Sequence, residues 1–259
     1  MNDYSSRFRF YRYEFITTDD FPLLRYILGL GPSPVIEIPC GAGRLLDIHS
    51  EHQREVFLVD LEPKMIEICQ QEIAKKGLEA RIFPVVGNMR DWCSTKKAGL
   101  ALVPRGGIQL LLTRKDILET FNNLHQNLCE EGLLYLDIAD PWGSNPANYN
   151  LLPEFMRFKK SRVLRGRSDF LLEGTNHLLR KYISVRYKDY IFVQFIFFVN
   201  QSNQIIYRGS YRWKRIEYDD LVTDLNSSGF VIKKIYGDYE FQEYQAGASR
   251  IICIAQKEE

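Results

Sequence analysis

Val35-Ile36-Glu37-Ile38-Pro39-Cys40-Gly41-Ala42-Gly43-Arg44 decides the fold. Three β-branched residues around Glu37 read as a short strand buried on both faces. Gly41 and Gly43 then let the chain turn sharply and let a ligand approach without a Cβ in the way. A helix is expected directly afterwards, from Arg44 to Gln53. The same alternation continues downstream. Val56–Asp60 reads as a strand, and Pro63 to Lys76 as a helix stopped by Gly77. Arg81–Val86 and Leu100–Val103 are the next strands. Thr113 starts a helix with Ile117, Phe121, Leu124 and Leu128 on one face and Gly132 at its close. Leu133–Ile138 is a fifth strand. Upstream, Asp19 is placed to cap a helix with Pro22 in its first turn, an apolar face of Leu23, Leu24, Ile27 and Leu28, and Gly29 and Gly31 at its end. Strands alternating with helices imply right-handed crossovers and a parallel sheet covered on both faces.

The pattern changes after Asp140. Pro141, Gly143 and Pro146 mark a loop, and from Arg162 to Ile216 the period becomes two. Val163, Arg180–Tyr187, Tyr190–Val199 and Ile205–Trp213 read as antiparallel strands, with Gln201-Ser202-Asn203 as a hairpin tip. Helical spacing returns at Tyr218–Ser227, and Phe230–Tyr236 and Arg250–Gln256 close the chain as strands. The expected architecture is α/β: a doubly wound, mostly parallel seven-stranded sheet from residues 1–141 and 217–259, with residues 142–216 as an antiparallel β insertion, either a substrate lid or an oligomer surface.

Hydrophobic residues make up 45% of the 259 residues and charged residues 26%, an ordinary globular balance able to bury a large core. The 34 basic and 33 acidic side chains nearly cancel, which weighs against a dedicated nucleic-acid binder. Cys40, Cys69, Cys93, Cys129 and Cys253 form no C-x-x-C pair, so neither a disulfide framework nor a zinc cluster is expected. The first residues carry no apolar signal segment, and Tyr190–Val199 is far too short for a membrane helix. A cytoplasmic protein is expected, without a membrane partner and with a homodimer possible.

Asp60 ends the strand after the glycine turn, where an acidic side chain can accept hydrogen bonds from both hydroxyls of a ribose. A dinucleotide fingerprint would need a third glycine where Leu46 stands. Glu37, just before the turn, can instead meet a cationic amino-acid head, as on the methionine moiety of a sulfonium cofactor. With these residues in place, the chain resembles the class I S-adenosylmethionine-dependent methyltransferases over residues 35–141 and 217–256. The resemblance implies a Rossmann-like fold, S-adenosylmethionine as cofactor with S-adenosylhomocysteine as product, and no metal. It implies that the first family motif is Glu37 to Arg44, including Pro39, Cys40, Gly41 and Gly43. The ribose position is Asp60, with Leu61 and Met65 after it, and the adenine turn is Gly87-Asn88-Met89. Asn88 stands where relatives usually carry Asp; it keeps a carbonyl acceptor and loses the charge.

The segment Val103-Pro104-Arg105-Gly106-Gly107-Ile108-Gln109 and the ending Tyr236-Gly237-Asp238-Tyr239 are similar to a subgroup acting on small molecules, amino sugars and antibiotic intermediates among them. That places Val103 beside the cofactor and Arg105 and Gln109 as substrate contacts; Trp142, after the fifth strand at its ligand-facing end, and Tyr239, in the loop between the last two strands, are further candidates by position. Leu110 replaces a His that such relatives often carry. Tyr11 or Tyr13 in the aromatic and basic N-terminal run is expected to fold over the cofactor. A base is needed only if the acceptor must shed a proton; Asp140 and His177 are the candidates. His49 and His52 form an H-x-x-H pair without further ligands, and Cys40 reads as a small residue packed under the turn. Lys159, Lys160, Arg162, Arg165 and Arg167 read as a solvated strand edge. The function expected is methyl transfer to an N or O atom of a small polar metabolite. The alternatives are a non-catalytic binding protein that retains the fold and a nucleic-acid methyltransferase.

Overall fold

A computed structural model describes residues 10–11, 17–142, 148, 152–158, 161–171, 177–199 and 204–258. Helix α1 (Phe21–Leu30) leads into β1 (Val35–Glu37), α2 (Leu46–Ser50), β2 (Val56–Asp60), α3 (Pro63–Lys76), β3 (Ile82–Val86) and β4 (Ala98–Val103). Helix α4 (Arg114–Asn127) and β5 (Leu128–Ala139) follow. After a second group of strands the chain returns with α5 (Tyr218–Ser227), β10 (Phe230–Tyr236) and β11 (Arg250–Lys257). These strands form one seven-stranded sheet in the order β10-β11-β5-β4-β1-β2-β3. β11 alone runs antiparallel to its neighbours. Strand order reverses between β1 and β4, and in open α/β sheets ligands bind at such a switch point.

Both faces of the sheet are covered. Val35, Leu100, Leu102, Tyr135 and Ile252 pack with α1, α2 and α3. Ile36, Ala101, Val103, Leu134 and Ile251 point the other way, onto Ile117, Phe121 and Leu124 of α4 and Leu221 and Leu225 of α5. The central strands therefore have no polar face, and β4 is buried at every position from Ala98 to Val103.

Between β5 and α5 lies a separate four-stranded antiparallel sheet in the order β6 (Val163–Leu171), β7 (His177–Arg186), β8 (Tyr190–Val199) and β9 (Gln204–Lys214). Its inner face is aromatic: Tyr182, Phe195, Phe197, Tyr207, Tyr211 and Trp213 pack together. Phe10 stacks on Phe197 at 4.5 Å between ring centres, which ties the N-terminal residues to this sheet. The expected hairpin tip at Gln201-Ser202-Asn203 lies outside the described residues.

Three boundaries differ from the sequence reading. Asp20, not Asp19, is the N-cap of α1, and its side chain does not cap; two arginines take it instead. The helix after the glycine turn is confined to Leu46–Ser50, because Gly43 at φ 84° and Leu45 at φ −90°, ψ 7° keep the chain in the turn up to that point. α4 ends at Asn127 and not at Gly132, because Leu128 already pairs with Ala98 as the start of β5.

Gly77 ends α3 at φ 65°, with its N–H on the carbonyls of Ala74 and Ile73. A Cβ built there meets nothing within 4 Å, so any cost of adding one is conformational. Gly77→Ala is therefore expected to destabilise the fold by about 1 kcal/mol, read as a lower urea midpoint at unchanged slope. A midpoint equal to wild type would refute this account of the cap.

Candidate active site

The carboxyl ends of β1 to β4 enclose a cavity of about 670 Å³. Two carboxylates reach it from adjacent strands. Glu37 ends β1 and is 2% exposed. Its Oε2 lies 2.7 Å from Nε2 of His49, itself buried on α2. Asp60 ends β2; its two oxygens accept the backbone N–H groups of Gly41 at 2.8 Å and Glu62 at 2.9 Å. Burial pushes the Asp60 carboxyl above its ordinary value, and these N–H groups offset that in part.

Gly41 turns the chain between the two carboxylates at φ 56°. A Cβ there would stand 2.7 Å from the ring of Tyr11, so the glycine lets Tyr11 close on the turn. Tyr11 lines the cavity, whereas Tyr13 lies outside the described residues. Pro39 and Cys40 line it beside Gly41. Burial, followed by contact with Cys69, pushes the Cys40 thiol well above its usual range, so it stays protonated and unreactive.

Arg44 lines the cavity with its charge spent: its two Nη atoms lie 2.8 and 2.6 Å from the oxygens of buried Asp20. Met65 contributes from the first turn of α3, and Leu61 stands at the cavity with 66% of its surface exposed. Asn88 and Met89 line the end of β3. Asn88 Oδ1 accepts the Arg90 backbone N–H at 3.1 Å, so this side chain shapes its own turn as well as facing the cavity.

Gly43 and Val103 stand outside the cavity wall. Gly43 makes room for Leu46 and Cys69, which a Cβ there would strike, and Val103 is buried under α4 and α5.

A buried charge network closes the β4 side. Asp137 on β5 accepts Arg250 Nη1 at 2.8 Å on one oxygen. The other takes the Tyr239 hydroxyl at 2.9 Å and the Arg105 backbone N–H at 3.1 Å. Tyr239 lies between two guanidinium groups, Arg105 at 4.9 Å and Arg250 at 5.1 Å from its ring centre. Burial raises its phenol well above the ordinary range, which keeps it a donor. Arg105 lines the cavity and reaches Asp19 and Asp20 on α1. Burial opposes its charge, but Tyr239, Asp20 and Asp137 outweigh burial and hold it firmly protonated.

The remaining expected substrate contacts stand elsewhere. Gln109 is fully buried; its amide exchanges hydrogen bonds with both backbone groups of Ala139 and donates to the Lys214 carbonyl, joining the two sheets. Tyr239 is committed to Asp137. Trp142 donates its indole N–H to the Tyr187 carbonyl, and Asp140 accepts the Trp142 backbone N–H. His177 begins β7, and its side chain lies outside the described residues. Among described residues, no three His, Cys, Asp or Glu side chains gather as a metal site, and no helix is long and apolar enough to cross a membrane.

The sequence reading missed His49 as the partner of Glu37 and Trp213 of β9 as part of the wall, with Leu110 and Leu111 beside it. One signal for Trp213 was present. Gly106, at φ 73°, follows β4, and a Cβ there would meet the Trp213 ring at 2.4 Å.

A parallel sheet with one antiparallel strand and a glycine turn between two buried acids at its switch point define a doubly wound α/β protein with a candidate ligand site at its strand ends. Residues 35–132 match a sequence family described as a methyltransferase domain. No curated protein matches the sequence. Among solved structures, the chain is similar to the CcbJ methyltransferase of Streptomyces caelestis at 15% identity and a TM-score of 0.74, covering 94% of this chain and 91% of that one. An S-adenosylmethionine-dependent methyltransferase from Clostridium acetobutylicum is similar at 15% identity and a TM-score of 0.74, covering 98% of each chain. The sugar N-methyltransferase KedS8 from Streptoalloteichus is similar at 14% identity and a TM-score of 0.71, covering all of this chain and 94% of that one. The whole chain, insertion included, thus has the methyltransferase fold.

Asp137 and Arg250 are 0% and 1% exposed, so breaking their pair strands a buried charge. Asp137→Ala is expected to cost about 3–5 kcal/mol in denaturant unfolding. Asp137→Leu combined with Arg250→Met should recover a large part of that loss. A double variant no better than Asp137→Ala would show that the cost is not one of unpaired charge.

Proposed function

We propose that the chain binds S-adenosylmethionine in this cavity and moves its methyl group to a nitrogen or oxygen atom of a small polar metabolite, with residues 142–216 acting as the lid. One observation carries the reading. Glu37 and Asp60, both buried, face one cavity from the ends of adjacent strands across the Gly41 turn. Two carboxylates so placed suit a ligand with an ammonium at one end and a ribose further along. Leu61, Met65 and Met89 offer apolar surface for a flat base beyond the ribose. The cavity's size suits such a ligand with a small acceptor beside it. The near-neutral charge of the chain favours a small acceptor over a polynucleotide.

When bound, the sulfonium supplies a methyl group already activated for in-line attack. The protein's part is placement. Tyr11 and Trp213 flank the cavity from the N-terminal residues and from the second sheet, where they exclude water. Glu37 and Asp60 would hold the two ends of that ligand, and the rest of the wall would fix where the acceptor stands. An amine arriving unprotonated needs no protein base for this step, so orientation supplies the rate. The sugar N-methyltransferase among the similar structures makes amino sugars the first acceptors to test.

Calorimetric titration with S-adenosylhomocysteine is expected to show micromolar binding, weakened at least tenfold in Asp60→Ala by the loss of charge-assisted bonds to the ribose. No binding by the wild type would refute the reading and favour a non-catalytic protein on the same fold. The carboxylate form of Asp60 binds the ribose, and burial raises its pKa. Affinity is therefore full above that raised value and lost as the pH falls through it, at a higher pH than an ordinary aspartate would give. Asp60→Asn should remove this acid limb; an unchanged pH profile would separate Asp60 from the ligand. With amino sugars as acceptors, mass spectrometry should detect a single added methyl group that depends on S-adenosylmethionine.

A further inference from the structure

We propose that His49 is a positioning residue for the amino-acid end of the cofactor: it holds Glu37 as an oriented carboxylate at the cavity wall. The inference rests on the cofactor reading above and assigns a role to a residue that does not itself line the cavity.

Three observations carry it. His49 and Glu37 are 1% and 2% exposed, and their 2.7 Å contact joins Nε2 to Oε2. Among described residues no other side chain hydrogen-bonds Glu37. Arg44, which lines the same cavity, is committed through its two Nη atoms to Asp20. Finally, the backbone around His49 is fixed from behind. Arg81 donates to the carbonyls of His49 at 2.9 Å and Ser50 at 3.1 Å, and to that of His52.

The chemistry follows from burial. A carboxylate out of water keeps its charge only where donors replace the lost solvent. The Nε2–H of His49 supplies one donor to one oxygen and holds the Glu37 carboxylate in one orientation at the cavity wall. A ligand ammonium then meets a charge already formed and oriented. Without the imidazole, the Glu37 side chain is free to turn away, which removes what the ammonium binds. A ligand that lacks the amino-acid group has nothing to lose.

The test compares two ligands on the full chain by calorimetry. S-adenosylhomocysteine carries the amino-acid end, and 5′-methylthioadenosine shares the nucleoside and thioether without it. His49→Leu is expected to weaken S-adenosylhomocysteine by about ten- to a hundredfold and 5′-methylthioadenosine by no more than about twofold. His49→Gln, which keeps a side-chain N–H donor, should recover part of the loss. Equal weakening of both ligands, or of neither, overturns the proposal. Wild-type protein that binds neither ligand removes the cofactor reading and the proposal together. If His49→Leu does not fold, the wild-type imidazole 15N resonances carry the test. They should show Nε2 protonated and shifting with S-adenosylhomocysteine but not with 5′-methylthioadenosine; a deprotonated Nε2, or identical responses to both ligands, overturns the proposal.

Discussion

Asp137 organises the β4 side of the cavity. It is wholly buried, and its two oxygens collect a guanidinium from β11, a phenol from the loop before β11 and a backbone N–H from the turn after β4. Its own carbonyl accepts the Gly106 N–H at 2.7 Å. The Arg105-Gly106 turn is thereby held with both residues at positive φ, 52° and 73°, which Arg105 would not adopt unaided. Because the turn is fixed, Arg105 reaches back to Asp19 and Asp20, and Asp20 in turn neutralises Arg44. A chain of alternating charges thus runs from the last strand, under the cavity, to the first helix. Its cations are paired within the wall, which leaves Glu37, Asp60 and Glu62 to set the sign of the cavity.

Much of the fold was legible because its signals are local. The bounds of β2, α3, α5 and β10 fall where Pro63, Gly77 and the apolar periods put them. Two of the misreadings share one cause, a distant partner overruling a local rule. Asp20 has the chemistry of a helix cap and gives its carboxylate to two arginines. Leu128 continues the apolar face of α4 and begins β5 instead, because Ala98 offers it a strand partner.

The candidate site divides along the same line. Glu37, Gly41 and Asp60 were legible because a ligand at a strand end needs acids and glycines at short, fixed spacings. His49 and Trp213 were not. One lies twelve residues from the carboxylate it meets, and the other enters from a different sheet. Gln109 shows the converse. Its place after β4 suggested a substrate contact, yet its amide is occupied by Ala139 and Lys214, where it bolts the second sheet to the first.

The lone antiparallel strand also has a history in time. β11 pairs with β5 along their length, yet Arg250 and Asp137, joined across that pairing, are 113 residues apart in sequence. All of the second sheet is synthesised in between. While the ribosome builds it, β5 stands as an uncovered edge of apolar residues, open to any strand that will pair with it. The pairing of β11 with β5 is therefore a late, non-local step that completes the sheet.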